Sequence, residues 1–116
     1  MLLLTAMLAA APALKKVGNM QELREKAMAG SASAAMEVVD ELYREVASPQ
    51  RPHPAEAWLM IAAENGSASG QHAYAQLLIR NSPSDREAEL RAMYWLRKSA
   101  AKKFAPAIKM LSRMNE

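Results

Sequence analysis

Small and apolar residues recur at intervals of four along three stretches of the chain. In the first stretch they are Ala34, Val38 and Leu42. The same spacing joins Gly70, Tyr74 and Leu78 in the second stretch and Ala107 and Leu111 in the third. An interval of four places side chains on one face of an α-helix. The pattern therefore predicts three helices, each with a small residue near its start where a neighbouring helix can approach closely.

Segments rich in proline, serine and asparagine separate these helical patterns. Residues 48–54 contain three prolines, and residues 81–84 read Asn-Ser-Pro-Ser. Proline lacks a backbone N–H and clashes with the preceding helical turn, so both segments are predicted to be loops. Further helices are predicted after these loops, at about residues 55–65 and 85–102.

The ends of these second helices carry recognisable capping signals. Ser84 followed by Glu87 forms a capping-box pattern, in which each side chain bonds to the other residue's backbone N–H. Gly66 follows the earlier helix directly, where a glycine in the left-handed conformation commonly ends a helix. The sequence thus predicts where one helix ends and another begins.

The chain contains an internal repeat. The tetrapeptide Gly-Ser-Ala-Ser begins at Gly30 and again at Gly66, 36 residues later. The pair Trp-Leu begins at Trp58 and again at Trp95, 37 residues later. Two markers with nearly the same period are typical of a solenoid built from two-helix units. We therefore predict an all-α fold, a right-handed α-α superhelix of antiparallel helix pairs with about two and a half repeats.

The period also divides the chain into units. We predict a half repeat at residues 19–29, full repeats at 30–65 and 66–102, and a closing helix at 105–114, all within a single domain that spans residues 14–116. The side chains expected inside this domain are Ala34, Val38, Leu42, Trp58, Ala62, Tyr74, Leu78, Trp95 and Ala100.

Composition agrees with a helical fold and argues against an enzyme. The chain has 9 Met and is rich in alanine and leucine, which favour helices. Threonine, a β-branched residue that favours strands, occurs once. It has no cysteine and only 2 His, which excludes a disulfide scaffold, a zinc ribbon and a thiol nucleophile. We accordingly predict no catalytic residue, no metal, no cofactor and no small-molecule substrate.

The first thirteen residues differ from the rest, because they are almost entirely apolar and uncharged and end in Ala11-Pro12-Ala13. A short apolar run followed by small residues is typical of a secretory signal peptide, although the usual basic start is missing. Residues 1–13 are therefore predicted to direct export to the periplasm. The alternative is a buried terminal helix in a cytoplasmic protein.

Basic residues are concentrated towards the C-terminus. The cluster consists of Arg97, Lys98, Lys102, Lys103, Lys109 and Arg113. Such a surface could contact nucleic acid, an anionic membrane or an acidic protein. Export would remove nucleic acid as a partner, so we predict no nucleic acid and at most a weak contact with an anionic membrane surface.

Two segments point to a known family. The stretch WLMIAAENG at Trp58–Gly66 and its partner WLRKSA at Trp95–Ala100 resemble the "W-Y-x-K-A-A-x-x-G" segment of Sel-one-like repeats, a branch of the tetratricopeptide-like α-solenoids. The resemblance extends over residues 20–111. It implies a scaffold for protein interactions, and in exported bacterial members it implies a partner in the cell envelope.

Helical geometry independently indicates which surface would bind that partner. Positions three, six, ten and thirteen after each repeat glycine point away from the predicted core. They are Ser33, Met36, Asp40 and Tyr43 in the first repeat and Ser69, His72, Gln76 and Ile79 in the second, and Lys109 and Arg113 continue the stripe in the closing helix. We predict that this stripe forms a groove for one protein partner. An ordinary packed edge, covered by other elements, is the alternative.

The biological role of such a module has two interpretations. A small exported binding protein could act as an immunity protein that neutralises a secreted toxic effector, or as an adaptor in the assembly of an envelope or secretion complex. A cytosolic adaptor with a basic patch is a further alternative.

His53 and Glu56, which could share a metal, are more simply explained as a loop histidine and a helix-start acid, because Pro52 and Pro54 flank the histidine.

Overall fold

The structure is a computed structural model, and it describes residues 19–46 and 52–115. Every regular element within these ranges is an α-helix, which confirms the predicted all-α class. The helices are α1 (residues 19–28), α2 (Ala32–Glu45), α3 (Ala55–Glu64), α4 (Ala68–Asn81), α5 (Arg86–Ala101) and α6 (Ala105–Met114). The predicted signal peptide, residues 1–13, lies outside the described residues.

Each helix packs mainly against the helices that precede and follow it in the chain. Among α2 to α6, the most extensive contacts join α2 with α3, α3 with α4, α4 with α5 and α5 with α6. Contacts between sequence neighbours are characteristic of helical repeat proteins, in which each unit buries the apolar face of the next. The architecture is therefore helical and repeat-like.

The turns that join α1 to α2 and α3 to α4 have the same backbone geometry. Gly30 has φ +112° and Gly66 has φ +101°, both in the left-handed region that glycine adopts without steric cost. At the first turn the Gly30 N–H donates to the Ala27 carbonyl (3.1 Å) and the Ser31 N–H to the Lys26 carbonyl (3.0 Å). This pair of bonds is a Schellman motif. Equivalent bonds close the turn at Gly66.

The turn from α5 to α6 repeats this geometry without a glycine. Lys103 has φ +62°, its N–H donates to the Ala100 carbonyl (2.8 Å), and the Phe104 N–H donates to the Ser99 carbonyl (3.4 Å). Lys103 lies 37 residues after Gly66. The structural period therefore continues where the sequence marker is lost, at the cost of a left-handed lysine.

Serine and aspartate side chains cap the N-termini of α2, α4 and α5. Ser31 accepts a hydrogen bond from the Ala34 N–H (3.1 Å), and Ser67 accepts one from the Gly70 N–H (2.9 Å). The predicted cap of α5 is off by one residue, because Asp85 and not Ser84 accepts the Glu87 N–H (2.9 Å). Ser84 instead adopts φ +65° within the loop, which places Asp85 at the N-cap.

The core consists of small and branched apolar side chains between successive helices. Val38, Ala62 and Leu96 are completely buried. Three other residues predicted to be inside are buried: Ala34, Leu42 and Tyr74. The remaining four are half-buried and pack against clusters of buried apolar residues, which we call the core clusters: Trp58, Leu78, Trp95 and Ala100. The two tryptophans therefore pack at the edge of the core rather than in its centre.

The small residue near the start of α4 lies at a close approach between helices. A Cβ atom on Gly70 would come within 2.9 Å of the Ala62 Cβ atom in α3 and 3.2 Å of the Met36 sulfur in α2. The structurally equivalent residues Ala34 and Ala107 are also buried. The sequence prediction that a small side chain permits close helix contact at this position agrees with these distances.

Polar side chains at the C-terminal ends of α3 and α5 bind backbone carbonyls 31–38 residues earlier in the chain, near the previous turn of the same kind. The Asn65 amide donates to the Ala27 carbonyl (3.0 Å), and the Ser99 hydroxyl donates to the Ala68 carbonyl (2.7 Å). The Lys102 ammonium likewise donates to the carbonyl of Gly66. These bonds hold neighbouring turns in register, and they fix the relative position of the helices that carry the candidate site.

Candidate interaction groove

Four residues of the predicted stripe line one groove between α4 and α6. His72 and Gln76 come from α4, and Lys109 and Arg113 come from α6. The groove also includes Pro106, Met110 and Met114 and has a volume of about 520 Å³. We call it the α4–α6 groove. Its size lies within the range of roughly 300–1,000 Å³ that is usual for ligand pockets.

The α4–α6 groove combines an apolar floor with unpaired positive charge. Met110 and Met114 lie one helical turn apart on α6 and are half-buried, whereas Lys109 and Arg113 are exposed beside them. Among the described residues no carboxylate lines the groove, and neither base forms an ion pair. The groove can therefore accept apolar side chains and anionic groups together.

His72 is held at the side of the groove by an aromatic contact. Its ring lies 5.6 Å from the ring of Phe104, centroid to centroid, with the two planes tilted by 53°. Partial burial removes water that would stabilise the imidazolium, and this desolvation lowers the pKa of His72 from its ordinary value of 6.5. The lowered pKa favours the neutral imidazole, and the positive charge of the groove comes from Lys109 and Arg113.

The first-repeat part of the stripe does not reach this groove. Asp40 lies in a second groove, between α1 and α2, which has a volume of about 450 Å³ and also includes Glu37, Glu41 and Arg44. Arg44 pairs with Glu41 at 3.0 Å. The acidic residue Asp40 and the basic residues Lys109 and Arg113 of the stripe therefore lie in two separate grooves.

The remaining stripe residues have other surroundings. Tyr43 is 45% exposed and stacks on His53, with ring centroids 4.5 Å apart. Met36 and Ile79 are half-buried against the core clusters. Ser33 and Ser69 are exposed at the starts of α2 and α4, next to the capping serines. None of these five residues is among those that line the α4–α6 groove.

His53 organises the start of α3. Its Nδ1 atom accepts the Ala55 N–H (3.0 Å), and its Nε2 atom lies 2.9 Å from the Val46 carbonyl. The His53 N–H in turn donates to Glu56 (2.8 Å). Both ring nitrogens are thus used within the fold. Across the described residues, no three or more acidic or histidine side chains are arranged to bind a metal ion.

The outer face of α5 carries a feature that the sequence analysis missed. Leu90 and Tyr94 are 51% and 52% exposed, and the Lys98 ammonium lies 5.0 Å from the centre of the Tyr94 ring and 5.6 Å from that of Trp95. Such distances are typical of cation–π contacts. Leu90, Tyr94 and Lys98 are four residues apart, so the interval that identified the other helices could have found them.

The C-terminal basic cluster is exposed but is divided among three elements. Arg97 and Lys98 lie on α5, Lys102 and Lys103 in the following turn, and Lys109 and Arg113 on α6. Only the last two line the α4–α6 groove. The cluster is therefore better described as a basic groove with additional charges on the neighbouring helix and turn.

Comparison of the chain with protein-family models, with curated proteins and with solved structures finds no significant match. Among the helices of the described ranges, none combines the length and the apolar character needed to cross a membrane. The function must therefore be inferred from the groove and from the repeat architecture.

Proposed function

We propose that the protein is a non-enzymatic protein–protein interaction module that binds one protein partner through the α4–α6 groove. The observation that supports this proposal most directly is the convergence of His72, Gln76, Lys109 and Arg113 from two different helices on one groove. Helical spacing predicts these residues on a common outward stripe. A concave surface with an apolar floor and polar edges has the general character of a protein-binding site.

The proposed architecture is a right-handed solenoid of antiparallel helix pairs related to Sel-one-like repeats. Its support comes from the turns at Gly30, Gly66 and Lys103, which share one hydrogen-bond pattern and recur at intervals of 36 and 37 residues. In such an array the first helices of successive units lie side by side. Helices α4 and α6 are first helices of this kind, and the groove lies between them.

The proposed location is the periplasm, and the proposed role is that of an immunity protein for a secreted toxic effector. The support for export is the apolar segment at residues 1–13 with its small-residue end. An immunity protein needs one tight contact and no catalytic site, which suits a module of this size. A gene for a secreted hydrolase or nuclease next to this one would favour the immunity role.

The second candidate role is an adaptor that joins two components of an envelope or secretion complex. The exposed face of α5 favours it, because Leu90, Tyr94 and the bases Arg91 and Lys98 offer a surface distinct from the α4–α6 groove. An anionic membrane surface could also contact this basic, partly aromatic face weakly. The same features would serve a cytosolic adaptor if residues 1–13 are retained.

A bulky substitution in the groove tests the proposed function. Gln76 is exposed and lines the groove, so Gln76→Trp should fill it while leaving the core unchanged. Tagged protein is used to capture partners from the envelope fraction of the native host, and the captured proteins are identified by mass spectrometry. We expect one partner to bind the unmodified protein and to be lost with Gln76→Trp.

The matched control is Gln21→Trp, which places the same side chain at an exposed position of α1. We expect this variant to keep the partner. Equal capture by Gln76→Trp and Gln21→Trp would overturn the assignment of the groove. A circular dichroism spectrum and a melting curve for each variant would show that both remain folded.

A further inference from the structure

We infer that the partner segment bound by the α4–α6 groove is acidic and partly apolar, with carboxylates that pair with Lys109 and Arg113 and apolar side chains that lie on Met110 and Met114. This inference rests on the proposed function and specifies the chemistry of the partner. It follows from the arrangement of charge and apolar surface in the groove.

The charge of the groove favours an anionic partner. Lys109 and Arg113 are four residues apart, so they project from the same side of α6 one turn apart. Neither is neutralised by a carboxylate of the described residues, and Gln76 on α4 adds a neutral amide. The planar guanidinium of Arg113 can hold a carboxylate through two parallel hydrogen bonds.

The apolar lining of the groove favours apolar groups in the same segment. Met110, Met114 and Pro106 form it, and they would remain exposed to water if only a small anion were bound. Methionine side chains are flexible and polarisable, so they adapt to apolar groups of different shape. A segment that alternates carboxylate and aliphatic side chains satisfies both parts of the groove at once.

The second groove of the molecule explains why such a segment would bind at one place. Glu37, Asp40 and Glu41 line the α1–α2 groove together with Arg44, so carboxylates outnumber bases there. An acidic segment would be repelled from that groove and attracted to the α4–α6 groove. The charge distribution therefore selects both the partner and its location.

A peptide titration followed by NMR tests this inference. The probe is a short blocked peptide of alternating glutamate and leucine, added to isotope-labelled protein at low salt. We expect the backbone amide signals of His72, Gln76, Lys109 and Arg113 to shift. A peptide with glutamine in place of glutamate and one with serine in place of leucine should each bind about tenfold more weakly, because each lacks one of the two required features.

Charge-removing variants supply the second arm. Arg113→Gln should weaken binding of the glutamate–leucine peptide about fivefold, and the difference should shrink at high salt. Arg97→Gln removes the same charge from an exposed position on α5 outside the groove, and it should leave the affinity nearly unchanged. Met114→Gln should weaken binding, whereas Met28→Gln at a 70% exposed position of α1 should not.

Several results would overturn the inference. They are equal binding of the glutamine–leucine peptide, equal effects of Arg113→Gln and Arg97→Gln, or shifts confined to α5. Vesicles of phosphatidylglycerol that reproduce the shifts in place of the peptide would assign the groove to lipid instead. Loss of the captured partner with Gln76→Trp but not with Arg113→Gln would contradict the acidic segment and leave the proposed function standing, whereas no effect of either would contradict both.

Discussion

At the scale of single residues, backbone conformation is repeated more faithfully than side-chain identity. The left-handed position that ends each second helix is occupied by Gly30, by Gly66 and then by Lys103. Sequence comparison alone detects the first two, because the marker is a glycine. The third turn is formed although its residue disfavours the conformation, so tertiary packing of α5 and α6 must compensate for the local cost.

This cost predicts that Lys103→Gly stabilises the protein. Glycine adopts a positive φ without the Cβ clash that lysine suffers, and we expect a gain of about 0.5–1 kcal/mol in the free energy of unfolding. Chemical denaturation of the two proteins measures it. The converse change, Gly30→Ala, meets no atom within 4 Å of the added Cβ, so its expected loss of about 1 kcal/mol reports backbone strain alone. An unchanged stability for Lys103→Gly would contradict this account.

The lowered pKa of His72 predicts a dependence of stability on pH. The unfolded chain binds the His72 proton more tightly than the folded protein does, since the ordinary pKa is 6.5 and burial lowers it in the fold. Stability from this residue is therefore complete above pH 6.5 and falls as the pH drops towards the lowered value.

The comparison protein is His72→Gln, which has no titratable group at this position. Unfolding free energies of both proteins are measured by denaturant titration at a series of pH values. We expect the unmodified protein to lose stability relative to His72→Gln as the pH is lowered below 6.5. Every other residue is the same in both proteins, so the difference between the two curves reports His72. Parallel curves would show that burial does not perturb His72.

At the scale of helices, spacing identifies which face is buried but not how deeply each side chain penetrates. The interval of four correctly placed Ala34, Val38 and Leu42 in the core. It did not show that Trp58 and Trp95 would be only half-buried, because that depends on how closely alanine-rich helices approach. It also could not separate the α1–α2 groove from the α4–α6 groove, since helix spacing gives a direction for each side chain and no distance between helices.

Two leucines of α5 test the assignment of its faces. Leu96 is completely buried, whereas Leu90 is 51% exposed on the outer face of the same helix. Leu96→Ala should lower the free energy of unfolding by about 2–5 kcal/mol through lost burial and the cavity left behind. Leu90→Ala should change it by less than about 0.5–1 kcal/mol. Because the two substitutions alter helix propensity equally, comparable losses would show that the inner and outer faces of α5 are wrongly assigned.

At the scale of the whole molecule, the sequence predicts the all-α class and the positions of most helices because their signals are local. Proline-rich loops, capping serines and glycine turns each act within a few residues, and the helix bounds follow from them. The chemistry of the proposed partner is not indicated by such local signals. It depends on a groove whose two sides come from α4 and α6, and in the sequence His72 and Gln76 are separated from Lys109 and Arg113 by the whole of α5.

Export is a property of the whole chain, and it decides which partners the groove can meet. If the apolar segment at residues 1–13 is a signal peptide, cleavage after Ala11-Pro12-Ala13 would leave a mature chain that begins at Leu14. Mass spectrometry of the protein isolated from periplasmic and cytosolic fractions of its native host measures the N-terminus. We expect the chain starting at Leu14 in the periplasmic fraction. Replacing Ala11 and Ala13 with bulky residues should block cleavage, because the signal peptidase site accepts small side chains. An intact segment in the cytosolic fraction would instead direct the search for an acidic partner to the cytoplasm.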